Sequence, residues 1–152
     1  MPEFEIRSVP LHDTAVVRVS TPTDQISQAV GPAMGAAFAA VGKAGAIPVG
    51  PPLCKYLTYS ETSVEFETGV PVAAPFPGDG DVRAGEVGGC EAAVGVHVGP
   101  YETIGQTYQK LQAWIEGQGR KPATVMWESY LTDPQQEPDS SNWRTEICWP
   151  VE

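Results

Sequence analysis

Residues 122–131 read Pro-Ala-Thr-Val-Met-Trp-Glu-Ser-Tyr-Leu, an apolar, strand-like run that contains a single acid, Glu128. An unpaired buried carboxylate costs several kcal/mol, so a basic side chain, a proton or a cationic ligand should meet it. Strand alternation places Met126 and Tyr130 on the same face as Glu128 and places Trp127 on the other face. The identity of the partner of Glu128 is therefore the main functional question that this stretch raises.

The same stretch belongs to a sequence repeat, and the repeat determines the expected fold. Five positions align without gaps on positions 74 residues later, namely Val41, Gly45, Pro48, Tyr56 and Leu57 on Ile115, Gly119, Pro122, Tyr130 and Leu131. Three more align at an offset of 79, namely Glu67, Pro71 and Val72 on Glu146, Pro150 and Val151. The five extra residues fall in the loop after Leu131, where an insertion is tolerated best. We interpret the chain as a duplication.

We expect a single domain over residues 1–152, because this length supports one sizeable core and not two large ones. The first repeat covers about 1–73 and the second about 81–152, with a proline- and glycine-rich linker over about 74–80. Each repeat is predicted to be a ββαββ-like unit. The predicted fold class is α+β, in which the two units form a mostly antiparallel sheet with two main helices and a ligand cleft between the halves.

Local patterns predict the strands and the second helix. Strands are expected near residues 4–7, 15–19, 53–59, 64–70, 82–87, 90–98, 124–131 and 143–149. The second helix should run from about Glu102 to Glu116 and end at Gly117 and Gly119. Its apolar stripe consists of Ile104, Tyr108, Leu111 and Ile115.

The first helix is harder to predict. Met34, Phe38 and Val41 give a similar apolar stripe, but Gly31-Pro32 interrupts any helix that starts earlier. Either a short turn precedes the main helix, or the helix begins near Pro32, where proline fits the first turn.

Composition excludes several classes of function. The chain has 9 Lys and Arg against 19 Asp and Glu, a net charge of -10, and no basic cluster, which argues against direct nucleic-acid binding and mildly favours cations. No apolar run approaches the length of a membrane span, and the N-terminal segment lacks the features of a signal peptide. Cys54, Cys90 and Cys148 are widely spaced, which predicts reduced thiols in a cytoplasmic protein rather than disulfides or a zinc site.

We expect no cofactor and no metal. The glycine-rich pieces, including Gly88-Gly89, match neither GxxxxGK[ST] nor GxGxxG, the phosphate-binding patterns. His12 and His97 have no partner at the spacing of a zinc site or of a catalytic triad. The expected partner is a small molecule, with no membrane and no nucleic acid involved.

Motifs along essentially the whole chain give it a family resemblance. In the first half, Gly-Pro-Pro at 50–52 is followed by Val-Glu-Phe-Glu-Thr-Gly-Val-Pro-Val at 64–72. The second half has His-Val-Gly-Pro-Tyr at 97–101, then E-x-Y-x-x-D-P at 128–134 and R-T-E-I-x-x-P-V at 144–151. In kind and order these motifs resemble the GyrI-like small-molecule-binding domains, which include the effector-binding domains of BmrR-type multidrug-responsive regulators.

The resemblance implies a cleft between the two units that binds bulky, aromatic, often cationic compounds, with Glu128 as the acid that meets the ligand's charge. Some stand-alone members hydrolyse cyclopropane-containing genotoxins, so a hydrolase with Glu128 as general acid/base is the alternative function. Other members inhibit DNA gyrase, which makes a gyrase-inhibitor-like interaction protein a weaker alternative with an unknown protein partner. Because no helix-turn-helix region precedes Phe4, we expect a stand-alone member rather than a complete regulator.

The candidate site follows from the repeat and the motifs. The predicted ligand-binding residues are Glu128, Tyr56, Tyr101, Tyr108, Trp143, Met126 and Phe38. If the protein is an enzyme, the predicted catalytic residues are Glu128, Tyr101 and Tyr130. Core packing is the alternative role of each aromatic residue. Glu128 has its own alternatives, which are an exposed position on the sheet or a pairing with Arg144 or Lys55.

Overall fold

The computed structural model describes residues 4–152, and its elements follow the predicted order. Within this range the strands are β1 (Phe4–Val9), β2 (His12–Pro22), β3 (Leu53–Tyr59), β4 (Ser63–Val72), β5 (Val82–Val87), β6 (Cys90–Val98), β7 (Met126–Tyr130) and β8 (Arg144–Pro150). The helices are α1 (Ile26–Ala44), between β2 and β3, and α2 (Ile104–Gly117), between β6 and β7. Short 3₁₀ turns over Thr23–Gln25, Tyr101–Thr103 and Ser140–Asn142 precede α1, α2 and β8. The predicted strands are confirmed, with ends that shift by a few residues.

The strands form an antiparallel sheet in the order β1-β6-β8-β7-β3-β4-β2-β5. If each strand of the first unit (β1 to β4) is exchanged with the equivalent strand of the second (β5 to β8), the same order results, read from the other edge. The topology therefore has pseudo-twofold symmetry about the β3–β7 pair. The first strand of each unit pairs with the second strand of the other unit, β1 with β6 and β5 with β2. The α+β fold is confirmed, and its two ββαββ units are interlocked.

The pseudo-twofold axis passes between Cys54 and Glu128. These two residues are direct partners in the antiparallel β3–β7 pair. They also differ by the repeat offset of 74. A residue that is both the neighbour and the repeat mate of another must lie beside the symmetry axis. Glu128 therefore lies at the centre of the sheet.

Both helices pack on the face of the sheet that carries Glu128. On α1, Ala37 and Val41 are buried against residues of β2 and β4. On α2, Leu111 and Ile115 are fully buried against β6 and β8, which confirms the predicted stripe of this helix. Burying one such aliphatic side chain stabilises the fold by about 1.5–3 kcal/mol.

The interruption predicted at Gly31-Pro32 is wrong, because α1 begins at Ile26 and continues through both residues. Pro32 removes one backbone donor from the helix, but Gly31 has no Cβ with which the proline ring would clash. The large residues predicted to form the buried stripe of α1 do so only in part. The buried side of α1 consists mainly of alanine, and Phe38 is 41% exposed.

The three cysteines are free thiols, with Cys54 and Cys148 buried and Cys90 half-buried. Among residues 4–152, no helix is both long and apolar enough to span a membrane. Residues 1–3, part of the N-terminal segment considered above, lie outside the described residues.

Candidate ligand-binding site

A large cleft opens between the two helices, on the face of the sheet that carries Glu128. Its volume is about 1350 Å³. The floor comes from β3 and β7, and the walls come from α1 and α2. The mouth is formed by the two 3₁₀ turns that precede the helices and by the loop after β7. The cleft therefore lies over the pseudo-twofold axis, between the two units.

Glu128 lies on the floor of this cleft and is only 6% exposed. Its Oε1 atom accepts a hydrogen bond of 2.8 Å from the hydroxyl of Tyr130, and its Oε2 atom accepts one from the hydroxyl of Tyr108. No ion pair among residues 4–152 includes Glu128, and Lys55 donates instead to the carbonyl oxygen of Glu86 at 2.8 Å. The structure thus supports neither the exposed position nor a basic partner for this acid.

Burial raises the pKa of Glu128 above its usual range. The hydrogen bonds from Tyr108 and Tyr130 and the field of His97 act in the opposite direction without cancelling the effect of burial. Burial and the neighbouring carboxylate also raise the pKa of Tyr56, Tyr108 and Tyr130. These phenols therefore remain neutral donors near pH 7, and an ionised Glu128 has no countercharge beside it.

Aromatic side chains surround the acid. Tyr56 lies on β3, and Tyr101 lies in the turn that precedes α2, where its ring packs edge-on to Tyr130 at 5.8 Å. Contrary to expectation, Trp143 does not line the cleft. It precedes β8 and packs behind Tyr101 with ring centroids 5.1 Å apart, while its indole N–H donates to the carbonyl oxygen of Glu137 at 2.7 Å. Trp143 supports the aromatic wall rather than forming its surface.

The structure brings Met126 and Phe38 to the cleft and adds one tryptophan that the sequence analysis missed. Trp149 lines the cleft, packs edge-on to Tyr108 at 5.8 Å and donates its indole N–H to the carbonyl oxygen of Ala123 at 2.7 Å. Alternation along β8 puts Trp149 on the face that carries Glu128. This alternation can be read from the sequence, but it identifies Trp149 as a cleft residue only when β8 is known to pair with β7.

His97 also belongs to the structure of the site, although it lies behind the lining. Its Nε2 atom is 2.9 Å from the carbonyl oxygen of Pro100, and its Nδ1 atom is 2.6 Å from the hydroxyl of Thr107. Because a carbonyl only accepts, Nε2 must donate the hydrogen, and in the neutral ring Nδ1 accepts from the threonine hydroxyl. These bonds hold the turn that carries Tyr101 against α2.

Every charged side chain in the described lining is a carboxylate. Asp24, Glu102 and Asp133 are exposed at the mouth, and Glu128 is buried on the floor. No Lys, Arg or His is found among the lining residues of the described chain. The local field therefore favours positively charged molecules over negative ones, to a degree that salt reduces at the mouth.

Comparisons with solved structures show the same fold in other proteins. The C-terminal domain of EcmrR is 24% identical with a TM-score of 0.82, over 98% of this chain and 96% of that one. A hydrolase from Listeria innocua is 17% identical with a TM-score of 0.70, over 99% and 92% of the two chains. SAV2435, bound to tetraphenylphosphonium, is 12% identical with a TM-score of 0.66, over 99% and 94%.

Comparisons with curated sequences and with protein families show how the chain is related to known proteins. No curated protein sequence matches the chain. The model of the GyrI-like small molecule binding domain matches residues 54–152, which is more than half of the chain. This match covers the second unit and part of the first, whereas the strand order and the cleft involve both units. The chain belongs to the family of GyrI-like small-molecule-binding domains.

Proposed function

We propose that the cleft binds bulky apolar or aromatic small molecules and prefers those that carry a positive charge. One observation supports this most directly. Glu128 is a buried acid on the floor of an aromatic cleft, and among residues 4–152 no basic side chain pairs with it. The partner expected for a buried carboxylate is therefore supplied from outside, by a cationic ligand.

The size of the cleft and the nature of its walls favour the same ligand class. Drug-sized ligands occupy pockets of roughly 300–1000 Å³, and this cleft of about 1350 Å³ exceeds that range. A cation over the face of an aromatic ring gains about 0.5–2 kcal/mol per contact. Tyr56, Tyr101 and Trp149 offer such rings within reach of the Glu128 carboxylate.

A titration with a permanent cation tests the proposal. Tetraphenylphosphonium, the ligand of SAV2435, is suitable because it has no proton to exchange. We expect micromolar binding near neutral pH, and Glu128→Gln should weaken it by about tenfold or more, which corresponds to a loss of at least about 1.4 kcal/mol. Glu116→Gln, an exposed acid of α2 outside the cleft lining, makes the same change in net charge and should bind like the wild type.

Three results would contradict the proposal. The first is an absence of binding by any bulky aromatic cation. The second is equal affinity of the wild type and Glu128→Gln, which would remove Glu128 from the account. Equal weakening by Glu128→Gln and Glu116→Gln would assign the effect to net charge rather than to the site.

A hydrolase is the second candidate, and the raised pKa of Glu128 favours it because a general acid must hold its proton near neutral pH. In this alternative Glu128 activates a water or protonates a leaving group, and Tyr101 or Tyr130 orients a strained cyclopropane substrate. Incubation with a cyclopropane-bearing alkylator should then give a product heavier by one water in mass spectrometry. Recovery of the intact compound excludes that substrate.

A further inference from the structure

Among the described residues, no basic side chain balances the charge of Glu128. The side chain is 6% exposed, and the ion pairs of the described chain involve other acids. Both of its oxygens contact neutral phenols, those of Tyr108 and Tyr130. An isolated buried carboxylate in such surroundings tends to become neutral by taking up a proton.

The two phenols can accommodate Glu128 in either charge state. When the carboxylate is ionised, Tyr108 and Tyr130 both donate to it, as the hydrogen bonds describe. When it is protonated, its O–H donates to one phenol oxygen, because a tyrosine hydroxyl both donates and accepts. The freed phenol hydrogen then turns toward the cleft. Neither state leaves a buried oxygen of Glu128 without a partner, so the shell permits a change of charge without a change of fold.

Several other titratable groups lie near Glu128. The titratable groups that face it are Tyr108 from α2, Tyr130 from β7, Cys54 and Tyr56 from β3, His97 from β6 and Tyr101 from the turn before α2. Burial raises the pKa of these tyrosines and raises the pKa of Cys54 to about 11. Because the field of His97 reaches Glu128, the experiment must also separate these two residues.

We propose that the cleft exchanges a proton for the positive charge of its ligand. When a cation binds to the protonated form of the ligand-free protein, Glu128 ionises and its proton leaves to the solvent. A neutral aromatic ligand binds to the protonated form and releases nothing. This inference rests on the proposed function, because it requires that the cleft bind cations.

The exchange fixes how affinity depends on pH. Below the pKa of Glu128 in the ligand-free protein, a cation must displace a proton, so the affinity for the cation falls by up to about tenfold for each unit of decreasing pH. Above that pKa the carboxylate is already ionised and the affinity becomes constant. For a neutral ligand the dependence is absent or opposite, because ionisation of Glu128 removes the form that it prefers.

Isothermal titration calorimetry in pairs of buffers measures the released proton directly. Tetraphenylphosphonium is titrated into the full chain at several values between about pH 5 and about pH 9, in buffers with small and large enthalpies of ionisation. The difference in observed enthalpy gives the number of protons released per ligand. We expect about one proton at the low end and a decline toward none at the high end. Triphenylphosphine oxide, a neutral analogue, should release none.

Two variants assign the proton. Glu128→Gln should abolish the release along with the pH dependence of the remaining affinity, whereas Glu116→Gln should leave both unchanged. Tyr108→Phe removes one donor that favours the ionised form, so it should move the midpoint of the release to higher pH. Tyr108→Phe keeps the carboxyl group of Glu128 and serves as a test if Glu128→Gln folds poorly.

The outcomes separate the exchange from the proposed function itself. Cation binding without proton release across the whole pH range overturns the exchange and leaves the binding function intact. Release that persists in Glu128→Gln also overturns it and assigns the proton to another group, with His97 the nearest imidazole. Failure of every cation to bind contradicts the proposed function and the exchange together.

Discussion

At the scale of single residues, the repeat does not account for an acid at position 128. Its counterpart across the pseudo-twofold axis is Cys54, a fully buried thiol that donates to Thr68. The same backbone position in the same sheet is therefore compatible with a small, weakly polar side chain. Burial disfavours the ionised form of an acid at that position, which is consistent with the proposed role in binding a cation.

This asymmetry predicts that Glu128→Gln stabilises the ligand-free protein at high pH. The raised pKa of Glu128 means that the native state holds the proton more tightly than the unfolded state, where a glutamate titrates near about 4.3. The stability from this proton is full below that value and is lost as the pH rises through the higher folded pKa. Glutamine does not titrate and shows no such loss.

Urea unfolding of the wild type and Glu128→Gln at several pH values measures the difference. The free energy of unfolding of the variant, relative to the wild type, should increase by about 1–3 kcal/mol between acidic and alkaline conditions, the range found for an uncompensated buried polar group. Parallel pH dependences for the two proteins would show that Glu128 titrates as an ordinary exposed acid.

Several residues of the cleft lining were predictable from the sequence at this scale, and one was not. The alternation of one strand placed Met126, Glu128 and Tyr130 on one face, because that inference needs only local geometry. Trp149, rather than the expected Trp143, lines the cleft. To choose between the two tryptophans one must know which strand lies beside β7 and where β8 begins. Neither is fixed by local pattern.

At the scale of elements, α1 shows how a glycine before a proline allows a helix to continue through the proline. Proline disfavours the helical conformation of the residue before it, partly through a clash with the Cβ of that residue. Gly31 has no Cβ, and α1 passes through Pro32 without ending. The strands were predictable from alternation, whereas this helix required the exact neighbour of the proline to be considered.

Two matched glycine variants test this explanation. Gly31 and Gly35 both lie inside α1, and a Cβ added at either meets no non-neighbouring atom within 4 Å. Gly35→Ala should therefore stabilise the protein by about 0.5–1 kcal/mol, the usual gain within a helix. Gly31→Ala should gain clearly less or destabilise, because the new Cβ faces the ring of Pro32. Equal gains in urea or thermal unfolding would contradict the role assigned to Gly31.

At the scale of the whole molecule, the fold places one acid at the centre of a nearly symmetric cleft. The repeat alignment identified equivalent positions in the two halves, and the strand order is symmetric about β3 and β7. Strand β1 pairs with β6, and β5 pairs with β2, so each unit contributes one strand to the edge of the other. This pairing was not predictable from the sequence, because it joins distant segments. The location of the cleft follows from the pairing of β3 with β7, which joins the two units at Glu128.

The most direct test of the central claim is a crystal structure of this protein with tetraphenylphosphonium. We predict that the phosphonium lies in the cleft between α1 and α2, with its phenyl rings against Tyr101 and Trp149. Glu128 should be the nearest carboxylate to the phosphorus atom. A phosphonium bound outside the cleft, or held only by the exposed acids at the mouth with Glu128 unchanged and distant, would contradict the account.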